Sequence, residues 1–230
     1  MTPEVLAHLM EATWPPARHW RDGPFTLRDG AGGGKRVSAA SCDGPWAEGD
    51  LALLDRLAAP LVLVRASDGP LDAALAARGW QIVDPVIAYA ALVAAIAADL
   101  PPLAAFAHWP ALEIVRSIWV EGGIGPERVA VMDRVAGTKT VLLARHGDRP
   151  AGVAFVACHG RDAMVHALEV RPALRRLGVG LTLMQAAANW AAGAGADRIS
   201  LVVTARNTAA CALYSRLGMQ TVGQYHYRMK

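Results

Sequence analysis

Hydrophobic and polar residues alternate along much of the second half of the chain. This alternation predicts strands over 139–145, 151–158 and 163–170, joined by the turns "HGDRPAG" and "HGRD". Apolar residues at helical spacing predict helices over 110–120 and 126–136, one ending near 194, and one over 207–217. Further strands are predicted over 198–204 and 221–229. Antiparallel hairpins followed by alternating strands and helices predict an α/β fold, with a mixed, mostly antiparallel sheet flanked by helices.

The first half contains a weaker copy of the end of the second half. The segment "VRASDGPLDAALAARGWQIVDPV" from Val64 aligns without a gap to "VTARNTAACALYSRLGMQTVGQY" from Val203. The halves meet at "ADLPPLAAF", where two prolines interrupt regular structure. We interpret the chain as an internal duplication, with one domain over 1–100 and another over 101–230. A chance match is the alternative, because helix, glycine cap and strand often follow one another in α/β proteins.

Composition and charge narrow the class of protein. The 230 residues are 53% hydrophobic and 19% charged, which is enough apolar sequence to bury a core. The net charge of +3 comes from scattered residues without a basic run, so we expect no nucleic-acid partner. Cys42, Cys158 and Cys211 lack metal-binding spacing and fit a reducing cytoplasm. The longest apolar run, over 86–98, is too short to span a bilayer, so we expect no membrane partner. Together with the cysteine spacing, this predicts a cytoplasmic protein that holds no metal.

A glycine-containing loop joins the strand that ends at Val170 to the helix that follows. The first N–H groups of a helix have no internal partners and attract anions, so this loop predicts a phosphate cradle. Arg175 and Arg176 would add positive charge at its rim. A simple strand-to-helix turn is the alternative. Neither a Walker loop nor a dinucleotide fingerprint is present, and "GAGGGKR" at 30–36 reads as a hairpin turn.

Two motifs in the second half resemble the GNAT superfamily of N-acetyltransferases. The [QR]-x-x-G-x-[GA] cofactor motif is present as Arg175, Arg176, Leu177, Gly178, Val179 and Gly180, and V-x-P precedes it at 170–172. The N…A-x-x-L-Y-x-x-x-G-[FM] motif is present as Asn207, Ala210, Leu213, Tyr214, Gly218 and Met219. The resemblance covers about 101–230 and implies a GNAT-like catalytic domain. The first half then resembles a shortened, non-catalytic GNAT-like copy with "SCDGPWAEGD" where the loop would be.

The resemblance implies an enzyme that transfers an acetyl group from acetyl-CoA to a primary amine by direct attack. Its strands over 163–170 and 198–204 would splay apart, and the backbone of Leu168 and Val170 would bind the pantetheine arm. The pyrophosphate would lie on the N–H groups of 176–180. Tyr214 would protonate the leaving thiolate, although a core aromatic is the alternative. Asn207 is a cofactor-binding candidate and equally a helix N-cap.

The general base and the acceptor are left open by the resemblance. Ribosomal-protein acetyltransferases of the family carry a glutamate where Val202 stands, which argues against a ribosomal protein as the acceptor. Glu169, His166 and water remain as bases; alternation puts the two side chains on opposite faces, and we favour Glu169. The acceptor is a small-molecule or peptidyl amine, and the chain a monomer or homodimer. A non-catalytic module that binds or senses acyl-CoA is the rival function.

Overall fold

The alternating and helical segments of the sequence fold into one eleven-stranded sheet covered by nine helices. The computed structural model describes all of residues 1–230. The helices are α1 (Pro3–Thr13), α2 (Lys35–Ser38), α3 (Leu51–Asp55), α4 (Gly69–Ala77), α5 (Val93–Ile96), α6 (Glu113–Glu121), α7 (Pro126–Arg134), α8 (Val179–Gly193) and α9 (Thr208–Arg216). The strands are β1 (Arg18–Asp22), β2 (Phe25–Asp29), β3 (Ala40–Cys42), β4 (Leu61–Arg65), β5 (Gln81–Leu92), β6 (Ala105–His108), β7 (Lys139–His146), β8 (Arg149–His159), β9 (Asp162–Val170), β10 (Arg198–Thr204) and β11 (Gln220–Met229). None of the helices is long and apolar enough to cross a membrane.

The second half follows its predicted order of strands and helices. β6 to β10 are neighbours in sequence order, antiparallel except for the parallel pair β9 and β10, which confirms the mixed sheet. β6 was not predicted, because it begins within the segment that two prolines interrupt. It nevertheless pairs with β7 from Ala105↔Ala144 to His108↔Val141, at the edge of the sheet.

The two halves exchange their last strands. β11, at the end of the chain, lies between β4 and β5, and β5 of the first half lies between β11 and β10. The pairing has pseudo-twofold symmetry: Leu63 pairs with Tyr227, and the equivalent residue of the second copy, Val202, pairs with Ala88. The aligned copies also share the order strand, helix, strand. Residues 1–100 and 101–230 therefore share one sheet, and their division into two domains stays a prediction about the sequence.

Alternate residues of β8 contribute to different hydrophobic cores on the two faces of the sheet. Val156 packs with α8 in a core that includes Leu183, and Phe155 packs with α6 and α7 in a core that includes Trp119. Gly152 lets α8 approach the sheet, because a Cβ there would lie only 3.0 Å from Val179 Cγ1 and 2.8 Å from a β9 carbonyl oxygen. The first turn of α8 is thereby fixed directly above the end of β9.

Candidate active site

A cleft opens between β9 and β10. These parallel strands pair only from Asp162↔Arg198 to Val165↔Leu201, although β9 continues to Val170 and β10 to Thr204. Past the last pair, the strands diverge and leave backbone groups of both edges without a strand partner. This divergence confirms the splaying that the resemblance implies.

A bulge in β9 sets the direction of its side chains at the cleft. Val153 of β8 pairs with Glu169, but Phe155, two residues on, pairs with His166, which is three residues away. β9 therefore contains one extra residue here. Ala167 adopts a left-handed φ of 49°, and its carbonyl accepts a hydrogen bond from the buried Trp119 indole at 2.8 Å. The Trp119 side chain thus belongs to the core and holds the bulge in place.

The bulge corrects the prediction that His166 and Glu169 lie on opposite faces. Directly opposed residues of antiparallel strands point to the same face of a sheet. The partners of these two residues, Phe155 and Val153, both pack in the core beneath α6 and α7. His166 and Glu169 therefore share that face, because the extra residue shifts the alternation by one position. Spacing in the sequence gave no signal for this bulge.

His166 is buried and held at both ring nitrogens by the first half. The Thr13 hydroxyl donates to the Leu9 carbonyl at 2.6 Å, so it accepts from His166 Nε2–H, which is 2.9 Å away. Nδ1 in turn accepts from Arg36 Nη1 at 2.9 Å. Burial, and then the charge of Arg36, holds the pKa of His166 well below 6.5. A neutral imidazole with both nitrogens engaged is poorly placed to act as a base.

Glu169 lies beside the loop that joins α6 to α7. Its Oε1 accepts from Arg175 Nη2 at 3.0 Å, and a Cβ at Gly122 would lie 2.4 Å from its Cγ. Gly122 therefore leaves the space that the Glu169 side chain occupies. Arg175 also donates from Nε to the Val170 carbonyl at 3.1 Å. The Arg175 side chain is thus directed at β9 rather than at the rim of the glycine loop, where the sequence predicts it.

The backbone of β9 presents alternate residues to the cleft. Arg171 N donates to the Ala151 carbonyl at 3.0 Å, and Val170 opposes Gly152 in the adjacent pair. Because hydrogen-bonded and non-hydrogen-bonded pairs alternate in antiparallel strands, Val170 N–H points away from β8 and into the cleft. Leu168, two residues earlier, faces the same way. The ligand contacts of Leu168 and Val170 stay predictions.

The glycine loop before α8 presents a row of free N–H groups. The backbone N–H groups of residues 176–181 have no acceptor within the chain. Gly178 has a φ of +83° and Arg176 a φ of +65°, so the loop passes twice through the left-handed region. Gly180 has a packing role, because a Cβ there would lie 3.1 Å from Leu213 Cδ2 on α9. The loop thus combines the conformation of an anion-binding turn with close helix packing. Arg175, Arg176, Leu177, Gly178, Val179 and Gly180 stay predicted cofactor contacts.

Tyr214 lies on α9, which packs against the first turn of α8. Its side chain is buried, with its ring centroid 5.7 Å from that of Tyr89 on the exchanged strand β5. Burial, and then the neighbouring Cys211, raises the pKa of Tyr214 well above 10. The phenol therefore keeps its proton throughout the neutral range. Asn207 caps α9, since its side-chain oxygen accepts from Ala210 N at 3.2 Å.

The first half closes one side of the cleft and forms a cavity of about 210 Å³ there. Residues around the opened strands form one wall, namely His166, Ala167, Val202, Val203 and Thr204. The first half contributes Trp14, Gly33, Gly34, Lys35, Arg36, Asp84 and Val86. The sequence pattern does not reveal this second set, and the hairpin turn predicted for "GAGGGKR" is wrong. The segment instead connects β2 to α2 and lines the cavity.

Comparisons with known proteins agree with this arrangement. The sequence pattern of the Acetyltransferase (GNAT) family matches residues 112–219. The chain is 25% identical over 242 residues to the uncharacterized N-acetyltransferase YobR of Bacillus subtilis, covering 98% of this chain and 97% of the relative.

Two solved structures share the fold over nearly the whole chain. A GCN5-related N-acetyltransferase from Kribbella flavida superposes with a TM-score of 0.72 at 17% identity, covering 100% of this chain and 96% of the other. A tandem GNAT protein from the clavulanic acid biosynthesis pathway superposes with a TM-score of 0.62 at 15% identity, covering 94% and 84%. Family pattern, relative and fold agree with the predicted acyltransferase, and residues 112–219 form a GNAT acetyltransferase domain.

Proposed function

We propose that the cleft binds acetyl-CoA and that the enzyme acetylates a primary amine. The row of unpartnered N–H groups at 176–181, placed where β9 and β10 separate, carries this proposal. Backbone N–H groups at a helix start suit the oxygens of a pyrophosphate. The free edge of β9 suits an extended chain of amides, which can pair with it as an added strand. Both features fit coenzyme A.

Acetyl-CoA supplies an acetyl group activated as a thioester. Val170 N–H, which points into the cleft, would donate to the carbonyl oxygen, where negative charge develops as the amine nitrogen bonds to carbon. The carbon–sulfur bond breaks, and Tyr214 would give its proton to the departing sulfur. Its raised pKa keeps the phenol protonated until the step begins. Glu169, directly or through a water, would take a proton from the incoming ammonium, with its carboxylate beside Arg175. The nitrogen would lose its second proton to solvent as the amide forms, and solvent would return a proton to the Tyr214 phenolate.

The test is a panel of primary amines offered with acetyl-CoA, in which released thiol and the mass of the acetylated product are both measured. We expect thiol release that depends on an added amine and matches the amount of acetylated product. Binding of acetyl-CoA without transfer to any amine would contradict the proposal. Thiol release without an acetylated product would also contradict it, because the acetyl group would then pass to water.

A further inference from the structure

Positive charge is left uncompensated in the cavity between the two halves. The cavity is lined by Lys35, Arg36 and Arg128 and by one carboxylate, that of Asp84. Lys35 Nζ lies 2.6 Å from Asp84 Oδ2, and Arg206 approaches the other oxygen of Asp84 at 3.5 Å. Asp84 is thus already neutralised by two cations. Neither Arg36 nor Arg128 has a carboxylate partner within the chain.

The two guanidinium groups without a carboxylate partner differ in their surroundings. Arg36 lies over the Trp14 ring, 5.7 Å from its centroid, and spends one donor on the neutral His166. Arg128 packs over the bare backbone of Gly34, where a Cβ would lie 3.4 Å from Nε and Nη2. Two arginine forks therefore line a cavity that also contains the opened ends of β9 and β10. A guanidinium fork matches a carboxylate in geometry as well as charge.

We propose that Arg36 and Arg128 bind a carboxylate of the acceptor, so that the acceptor is an amine that also carries a carboxylate. This inference rests on the proposed function, since it concerns the second substrate of the same cleft. A simple ammonium would be repelled by the two uncompensated guanidinium groups. An amino acid, or a peptide with a free C-terminus, carries the opposite charge that they lack. Binding of that carboxylate would leave the amine beside the opened strands.

Matched pairs of acceptors test the inference. Each amino acid is compared with the corresponding decarboxylated amine. Each peptide with a free C-terminus is compared with its amidated form. We expect kcat/KM to be higher for the carboxylate form by about 10- to 100-fold, the range for a charge-assisted hydrogen-bond pair. If only the amino-acid pairs show the preference, the carboxylate that is bound belongs to a free amino acid. If the peptide pairs show it too, the carboxylate that is bound belongs to a peptide C-terminus. Equal use of both members of every pair, or better use of phosphoethanolamine than of β-alanine, would overturn the inference.

Variants connect that preference to the cavity. Arg128 is exposed, so Arg128→Gln should fold normally and raise KM for the carboxylate-bearing acceptor, with little change for its amidated or decarboxylated partner. Arg149→Gln removes an exposed charge elsewhere and is the matched control, for which we expect no change. Equal effects of Arg128→Gln on both members of a pair would overturn the inference while the proposed function stands. If no amine of any kind is acetylated, the proposed function fails and the inference fails with it.

Discussion

The two halves of the chain each place a pair of parallel strands at equivalent positions, but only the second half leaves its pair open. β9 and β10 separate after Leu201. In the first half, β3 and β4 pair at two positions, and Arg65 then crosses the gap. It donates from Nη1 to the Cys42 carbonyl at 2.9 Å and from Nη2 to Asp43 Oδ1 at 2.7 Å. The aligned residue of the second copy is Thr204, whose side chain is too short to make such a bridge.

Other differences separate the two copies as well. The helix after the parallel strand is α3 with five residues in the first half and α8 with fifteen in the second. Leu75 stands where the second copy has Tyr214. The same order of strands and helices can thus persist after the open edge, the glycine loop with its long helix and the phenol are gone. On the proposed function, the comparison teaches that a site in this fold depends on an open strand edge and a glycine loop. The first half contributes a wall of the cleft instead.

The largest effect that we expect comes from the hydroxyl that the first half lacks. Tyr214→Phe keeps the buried ring but removes the proton, so turnover should fall by about 10²- to 10⁴-fold if proton transfer limits the rate. Acetyl-CoA affinity and melting temperature should change little. Tyr89→Phe, which removes the hydroxyl of the neighbouring ring, is the control. Near-parental turnover of Tyr214→Phe with a lowered melting temperature would assign the tyrosine to the core alone.

The glycine loop should control the response to acetyl-CoA. A ligand at 100 times its Kd stabilises the folded state by about 2.7 kcal/mol, which appears as a rise in melting temperature. Gly178→Val should remove that rise, because the backbone φ of +83° is unfavourable for valine, and the resulting shift of the loop would displace the N–H groups. Gly193→Ala, at the far end of α8, meets no neighbour and should respond as the parent does. An undiminished rise in Gly178→Val would place the phosphate site elsewhere.

The contact between the halves should depend on pH through His166. Its pKa in the folded protein lies well below 6.5, so the unfolded chain binds the proton more readily. Stability is therefore complete above pH 6.5 and should fall by up to roughly 1.4 kcal/mol for each pH unit below it, until the folded pKa is reached. His166→Gln, measured by denaturant unfolding between pH 5 and 8, should reduce this slope. An unchanged slope would show that His166 is not the group responsible.

The smallest effect separates the two interpretations of Asn207. Asn207→Ala should cost about 1 kcal/mol of stability, because it removes the cap on Ala210 N. Asn207→Ser keeps a capping oxygen and removes the amide NH₂. If acetyl-CoA affinity falls in Asn207→Ser, the side chain also binds the cofactor. If the only change is a loss of stability in Asn207→Ala, the residue is a helix cap alone.

The sequence predicted local structure well where one periodicity dominated. α8 and β7 to β10 lie within about two residues of their predicted bounds, because alternating or helical patterns continue through each of them. The exchange of β5 and β11 was not predicted, since it depends on pairing between segments far apart in the chain. The bulge at Ala167 also left no pattern, and it reversed the predicted facing of His166 and Glu169. The glycine loop was found because its chemistry lies in consecutive residues, whereas the arginines of the cavity come from distant ones.

The number of acetyl-CoA molecules bound per chain tests the central claim most directly, namely that only the second half keeps a binding cleft. Titration calorimetry on the parent should give one site per chain. Arg65→Ala, which removes the bridge across the first-half strands, should still give one site, because the short α3 stands there in place of the glycine loop and the long α8. Two sites per chain in the parent would contradict the account, as would one site that persists unchanged in Gly178→Val.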